Sequence, residues 1–316
     1  MKGTDMKIRI FIITILVIVS IMVSSLLMTG CDNNSTSTEK TALTAVTNLK
    51  AYSAGNTSVG LTWTASSSEN VSEFGEYSID VKNPAGTIVA STGASKEDTN
   101  FVILNLTEGV IYTFEMVVTA IEGATNYKNS TPVTVKWSPA RRLDADDIGV
   151  EIKVYETSSS SSFGSGLVLY HPTSHTPKVV SIGSPGVDSS YIDLYLKTNT
   201  ITAGSVILQS ASLYKTSWRL TRFSTISRNV DGLDNAQLAP PDTGTYTLTS
   251  IQFDSTATVS TSRIYYVKGD NGNYGRILVQ RASNGTLIWG TTPEQYLNLK
   301  VSFQTVAYNP YSKQSR

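Results

Sequence analysis

Hydrophobic residues fall along this chain in three regimes, one continuous and two alternating. An uncharged apolar run from Ile10 to Gly30 comes first, after Lys2, Lys7 and Arg9. From Val46 onward the pattern switches to short segments in which every second residue is apolar, the period of strands with one buried face. Val59, Leu61 and Trp63 share one face of such a segment, and Tyr77, Ile79 and Val81 share another. Phe101 and Ile103, then Leu106, then Tyr112, Phe114, Met116, Val118 and Ala120 continue the series, and Val133, Val135 and Trp137 close it. Seven short strands in under a hundred residues, separated by turn residues, predict a small β-sandwich.

A polar stretch, "SPARRLDADDIG" (Ser138 to Gly149), interrupts the alternation and reads as an interdomain linker over 139–149. Alternation then resumes in "GVEIKVYE", and again in "SYIDLYLKT", where Ile192, Leu194 and Leu196 are expected on one face and Tyr191, Asp193 and Tyr195 on the other. "RIYYVKGDNGNYGRILVQ" has the form of a hairpin, two strand-like runs joined by Gly269 to Asn273 with an Asn-Gly pair that tolerates positive φ. Near the end Leu297, Leu299, Val301 and Phe303 hold odd positions while Val306 and Tyr308 hold even ones, the parity change that a β-bulge produces. The fold class expected is therefore all-β: a small β-sandwich over 44–138, followed by a second, larger antiparallel β domain over 150–316.

Composition supports that reading. Charged residues make up only 16% of the 316-residue chain, against roughly 25% in average soluble proteins. With 25 basic and 25 acidic residues the formal net charge is zero. No long-range field exists to gather nucleic acid, so that partner is not expected. The chain has a single cysteine, Cys31, and so no internal disulfide.

The placement of Cys31 gives it a role. A basic start followed by an apolar core is the form of an export segment, and it ends in Leu27, Met28, Thr29, Gly30 and Cys31. Those five residues resemble the lipobox of bacterial lipoproteins, with Met28 departing from the usual leucine. The resemblance implies removal of residues 1–30 and fatty acylation of Cys31. Two or three acyl chains meet the requirement for stable anchoring, since each buried methylene contributes about 0.8 kcal/mol. The Ser-, Thr- and Asn-rich stretch that follows, within 31–43, is expected to be a flexible spacer. The protein would then sit in the cell envelope, anchored by lipid and facing the periplasm or the exterior.

Two further resemblances follow from residues already quoted. Trp63 in "VGLTWTA", Tyr77 in "EYSIDV", and Leu106, Gly109 and Tyr112 in "FVILNLTEGVIYTFEMVVTAI" resemble the tryptophan, turn glycine and corner tyrosine of a fibronectin type III domain. The implied roles are core and corner ones, and the implied module is a spacer or protein contact. The second block, through "SSYIDLYLKTNTITAGSVILQSASLY" and the hairpin, looks similar to β-rich surface lipoproteins of the HmuY type, which bind haem. In that family two histidines grip iron from opposite sides. Here the two histidines are His171 and His175, in "LVLYHPTSHTPK", four residues apart around Pro172.

Candidate ligand-binding residues are Tyr191, Tyr195, Trp218, Arg219 and Arg222. Lys215, Arg219 and Arg222 are spaced four and three apart, so a helix there would put three cations on one stripe beside Trp218, suited to an anion or a stacked ring. His171 and His175 are the candidates for a metal or haem. No nucleophile elbow, phosphate-cradling loop or zinc motif is present, and no catalytic residue is assigned. The expectation is a non-enzymatic binding or adhesion protein whose partner is a surface or periplasmic protein, a glycan or haem. A haem-binding protein and a carbohydrate-active hydrolase working through paired carboxylates are the alternatives.

Overall fold

The computed structural model describes residues 39–141, 143–144, 151–160, 163–183 and 186–312. The expected leader over 1–30, Cys31 and most of the spacer lie outside the described residues, as does much of the 139–149 stretch. Among the described residues there is no α-helix, only strands and four short 3-10 turns, and no helix long and apolar enough to cross a membrane.

The first body has the expected strands: β1 (Thr47–Gly55), β2 (Ser58–Thr64), β3 (Phe74–Lys82), β4 (Ile88–Ala94), β5 (Asn100–Ile103), β6 (Tyr112–Ala120) and β7 (Val133–Trp137). They make a three-stranded sheet in the order β1-β2-β5 and a four-stranded sheet in the order β4-β3-β6-β7. Every pairing within them is antiparallel. The residues that alternate in the sequence meet between the sheets: Val59, Leu61, Trp63, Tyr77, Ile79, Val81, Phe114 and Val118 form one buried cluster. Trp63 packs edge-on against Tyr77, with ring centroids 5.5 Å apart. At the corner before β6, the Tyr112 hydroxyl accepts the Thr107 N–H at 3.1 Å, so the ring is buried while its polar end is satisfied by backbone.

The second body is a larger sandwich. Its strands are β8 (Leu143–Asp144), β9 (Ile152–Tyr155), β10 (Gly166–Val168), β11 (Lys178–Val180), β12 (Leu194–Thr198), β13 (Ser205–Ser210), β14 (Thr221–Asn229), β15 (Tyr246–Leu248), β16 (Ser250–Asp254), β17 (Arg263–Gly269), β18 (Tyr274–Val279) and β19 (Tyr296–Phe303). One sheet has seven strands, ordered β8-β19-β18-β17-β14-β15 with β9 also on β19, and the other has five, ordered β11-β10-β12-β13-β16. The hairpin predicted at Gly269 to Asn273 is observed between β17 and β18, closed by the Gly269 N–H to Asn273 O bond of 3.0 Å.

Each sheet of this body is covered on both faces, and single-residue alternation decides which side chain goes where. Leu194, Leu196, Val206 and Leu208 from the five-stranded sheet meet Val267, Ile277, Leu297 and Leu299 from the seven-stranded one in the central core. The intervening residues point outward. Tyr195 and Val168 join Trp218 in an outer cluster over the first sheet, and Ile264, Tyr266, Tyr274 and Leu278 join Leu233 and Ala236 over the second. There Arg276, with no exposed surface, donates to the main-chain oxygens of Ala236, Gln237 and Pro310, tying two covering segments to the sheet.

Three expectations are corrected. Ile192 does not share a face with Leu194 and Leu196: a 3-10 turn runs to Tyr191 and the strand begins only at Leu194, so Ile192 packs in the outer cluster with Tyr195. The parity change after Phe303 is not a bulge but the end of β19, beyond which the chain turns and Tyr308 adopts a left-handed φ of 59°. The segment around Lys215, Arg219 and Arg222 is no helix; a 3-10 turn at Ala211–Leu213 leads through turns into β14, so its cations share no stripe. Serine, threonine and aromatic side chains disfavour helix there, and sheet pairing is available.

The two bodies keep separate cores yet belong to one compact unit from Ala42 onward. The linker expected over 139–149 starts buried, with Ala140 fully covered. Chain after β19 returns to the first sandwich, where Asn309 Nδ2 donates to Ser138 Oγ at 3.4 Å.

Candidate functional site

On the outer face of the five-stranded sheet, alternation turns Tyr195 away from the central core. Its hydroxyl accepts from Gln209 Nε2 on the neighbouring strand, its register partner. The 3-10 turn at Ala211–Leu213 carries Tyr214 over it, ring centroids 5.5 Å apart and edge-on. Trp218, four residues on, stacks against Tyr214 at 5.2 Å and 24°. Tyr214 stays half exposed, at 50%, because Trp218 supports one face and leaves the other to solvent.

Tyr195 and Tyr214 line a cleft of about 370 Å³ together with Phe163, Lys197, Thr157 and Ser165. Phe163 is 55% exposed and stacks on Tyr155 at 4.6 Å and 11°, and Tyr155 stacks on Tyr296 at 4.7 Å. Trp289 continues this row at 6.2 Å from Tyr296. Aromatic faces and aliphatic-hydroxyl edges thus converge on one opening, the composition of a small-molecule site with an apolar body and a few placed polar groups.

The remaining candidates lie elsewhere. Tyr191 and Trp218 do not line the cleft. Arg219 sits over the Tyr191 ring at 5.4 Å and pairs with Asp193 through Nη1 and Oδ1 at 3.3 Å. Asp193 also accepts the Leu169 N–H at 2.7 Å. Its burial pushes the carboxyl up to about 6, and Arg219 and the Leu169 N–H only partly oppose that. Arg222 lies on β14 at the edge of a different pocket, with Lys268 and Tyr308. The sequence-based set is therefore divided among three places.

His171 is buried and uses both ring nitrogens within the protein. Nδ1 accepts from the N–H groups of Thr173 and Ser174 at 3.4 and 3.2 Å, leaving Nε2 to donate to Asp188 at 2.9 Å. Lys178 Nζ holds the other oxygen of Asp188 at 2.6 Å, and with His171 it keeps that carboxyl below the ordinary range. His175 is exposed, has a left-handed φ of 57°, and meets the Tyr170 hydroxyl through Nδ1. Among the described residues, no three His, Cys, Asp or Glu side chains are grouped to hold a metal ion.

Phe163 and Tyr214 are the cleft aromatics that pattern reading missed, along with Lys197 and the hydroxyl side chains. Phe163 is a lone aromatic inside "SSSSSFGSG", and that isolation is the one local signal of it.

The three-on-four antiparallel sandwich, with its central tryptophan and corner tyrosine, places the first body among immunoglobulin-like domains. More particularly, residues 44–136 match the sequence model of the Fibronectin type III domain. That stretch is a fibronectin type III domain, slightly shorter than the 44–138 read from the sequence. Among solved structures, the fn3 domain of human collagen alpha-1(XX) chain in solution is 16% identical, with a TM-score of 0.25 over 33% of this chain and 90% of that one. A crystal structure of an FN3 domain of human collagen XX is 18% identical, with a TM-score of 0.23 over 30% and 94%. A third, described as "Myokine structure", is 16% identical, with a TM-score of 0.24 over 31% and 99%. No curated protein matches the chain.

Proposed function

We propose that this protein is a non-catalytic binding lipoprotein of the cell envelope. Cys31, acylated after removal of residues 1–30, tethers it to the membrane, facing the periplasm or the exterior. The fibronectin type III domain is its stalk or protein-contact module, and the second β domain carries the ligand.

One observation carries the ligand reading: the exposed rings of Phe163 and Tyr214 flank a cleft whose other walls include Tyr195, Lys197, Ile182 and hydroxyl side chains. A sugar has the matching chemistry, a flat C–H face for the rings and hydroxyls around its edge for Lys197, Thr157 and Ser165. Glycan is therefore the partner class assigned. Haem receives less support, because His171 is engaged at both nitrogens. The hydrolase alternative rests on no pair of carboxylates in this cleft.

Intrinsic fluorescence and glycan-array binding of the purified protein test the cleft. Binding of an oligosaccharide that Phe163→Ala and Tyr214→Ala both abolish is the expected result; undiminished binding by both variants excludes this cleft. The anchor is tested by mass spectrometry of the native protein. Diacylglyceryl mass on an N-terminal Cys31 is expected, and an unmodified thiol refutes the tether.

A further inference from the structure

We propose that the protein has a second binding site, for a small carboxylic acid bearing a hydroxyl or amino donor, at the hairpin end of the seven-stranded sheet. This pocket is about 240 Å³, and its walls include Arg222, Lys268, Tyr246, Asp242, Asp270 and Tyr308. It is distinct from the aromatic cleft and shares no residue with it.

Its charge arrangement is the first argument. Arg222 and Lys268 are register partners on the adjacent antiparallel strands β14 and β17, so two cations emerge directly opposite each other on one face. Like charges in that relationship work against sheet pairing. Lys268 is compensated: Nζ donates to Asp242 Oδ2 and lies 5.4 and 5.8 Å from the centroids of the Tyr308 and Tyr274 rings. Arg222 is not. It is exposed, and among the described residues its guanidinium has no carboxylate, carbonyl or ring partner. A local rule broken without compensation is the mark of a site kept for a ligand.

Buried polarity is the second argument. Tyr246 lines the same pocket at 7% exposure, and its hydroxyl finds no hydrogen-bond partner in the protein. Burying a hydroxyl unpaired is unfavourable, a cost that the protein carries in the wall of this pocket.

The rim is also built. Tyr308, with φ of 59°, donates its N–H to Gly272 O at 2.9 Å, and its ring lies 2.6 Å from where a Cβ on Gly272 would stand. Only glycine at 272, itself at φ 79°, lets the tyrosine lie over the hairpin turn. A non-glycine residue held left-handed is strain that the surroundings must impose.

These groups select the ligand. Arg222 offers a planar fork for a carboxylate. Asp270 uses Oδ2 to accept the Leu220 N–H at 2.9 Å, which leaves Oδ1 for a donor on the ligand. Asp242 and Asp270 in so small a volume repel a dianion, so inorganic phosphate is disfavoured.

The test uses the full-length protein in detergent and saturation-transfer NMR with glycolate at millimolar concentration, with inorganic phosphate observed separately by phosphorus line broadening. Saturation of the glycolate methylene is expected in the wild type and lost in Arg222→Gln, which melts no lower than the wild type because no partner is removed. Phe163→Ala keeps the glycolate signal, which separates this site from the aromatic cleft. The proposal is overturned by no transfer in the wild type, by transfer that survives in Arg222→Gln, or by a lowered melting temperature in that variant. It is likewise overturned by stronger binding of phosphate, or by loss of the signal in Phe163→Ala.

Discussion

Trp137, the last residue of β7, packs its ring against Tyr311, with centroids 4.4 Å apart and planes inclined at 41°. The indole N–H donates to Ser53 Oγ at 2.9 Å, and Ser53 Oγ donates to Ser138 O at 2.7 Å, so the contact is anchored in the first sandwich. Contacts of this kind couple the orientation of the second body to that of the first.

Replacing Tyr311 by alanine removes the ring contact while leaving both sandwich cores untouched. Aromatic pairs add about 0.5–1.5 kcal/mol beyond area burial. The expected outcome is a modest loss of stability and a larger radius of gyration by small-angle X-ray scattering, as the bodies gain freedom. An unchanged scattering profile would show that other contacts suffice.

Gly109 bears on the same junction. Its φ is +83°, and a Cβ there would stand 2.8 Å from Val306 Cγ1. Gly109→Ala is expected to destabilise by about 1 kcal/mol or more through its left-handed backbone alone. Gly109→Ala combined with Val306→Ala should recover the part due to the clash, read from denaturant midpoints.

Tyr112→Phe keeps the ring of the corner and removes only the acceptor for the Thr107 N–H. A typical net hydrogen bond contributes about 1 kcal/mol, so chemical denaturation should give a loss of that order. No loss would mean that water replaces the hydroxyl.

Asp193 predicts a pH dependence of defined sign. Its folded-state carboxyl is pushed up to about 6 by burial, whereas the unfolded value is about 3.9. A raised carboxyl takes up a proton on folding between those values, so its favourable contribution is full below the lower one and is lost as pH rises through the higher. Comparison with Asp193→Asn cancels other titrating groups. The stability of the wild type relative to that variant should fall by about 2 kcal/mol between pH 4 and pH 7. A difference that instead grew with pH would mean that the Arg219 ion pair outweighs burial.

Arg276→Met tests the tie between covering segments and sheet. Methionine fills much of the volume but leaves the Ala236 oxygen without this donor, while the Gln237 and Pro310 oxygens keep the Ser312 and Ala239 N–H groups. Each buried acceptor left unpaired costs about 1–3 kcal/mol. A loss of about 1–3 kcal/mol is expected by thermal and denaturant unfolding, with β17 and β18 amides exchanging faster.

Sequence pattern by itself determined the all-β class, the seven strands of the first body, its corner at Leu106, Gly109 and Tyr112, and the hairpin at Gly269 to Asn273. Those features are local: alternation with period two, and turn residues whose φ preferences act within four or five positions. It also brought Tyr195 to notice on an alternating strand, and Trp218 beside Lys215, Arg219 and Arg222. Only the tertiary structure decided that Tyr195 meets Phe163 and Tyr214 at one cleft, that Arg219 turns to Asp193, and that Arg222 faces Lys268. Each of these meetings joins residues carried by different strands or loops, so strand order and register fix them, and neither is written in the spacing of residues along the chain. The same holds for Tyr311, whose place against Trp137 depends on how the two sandwiches come together.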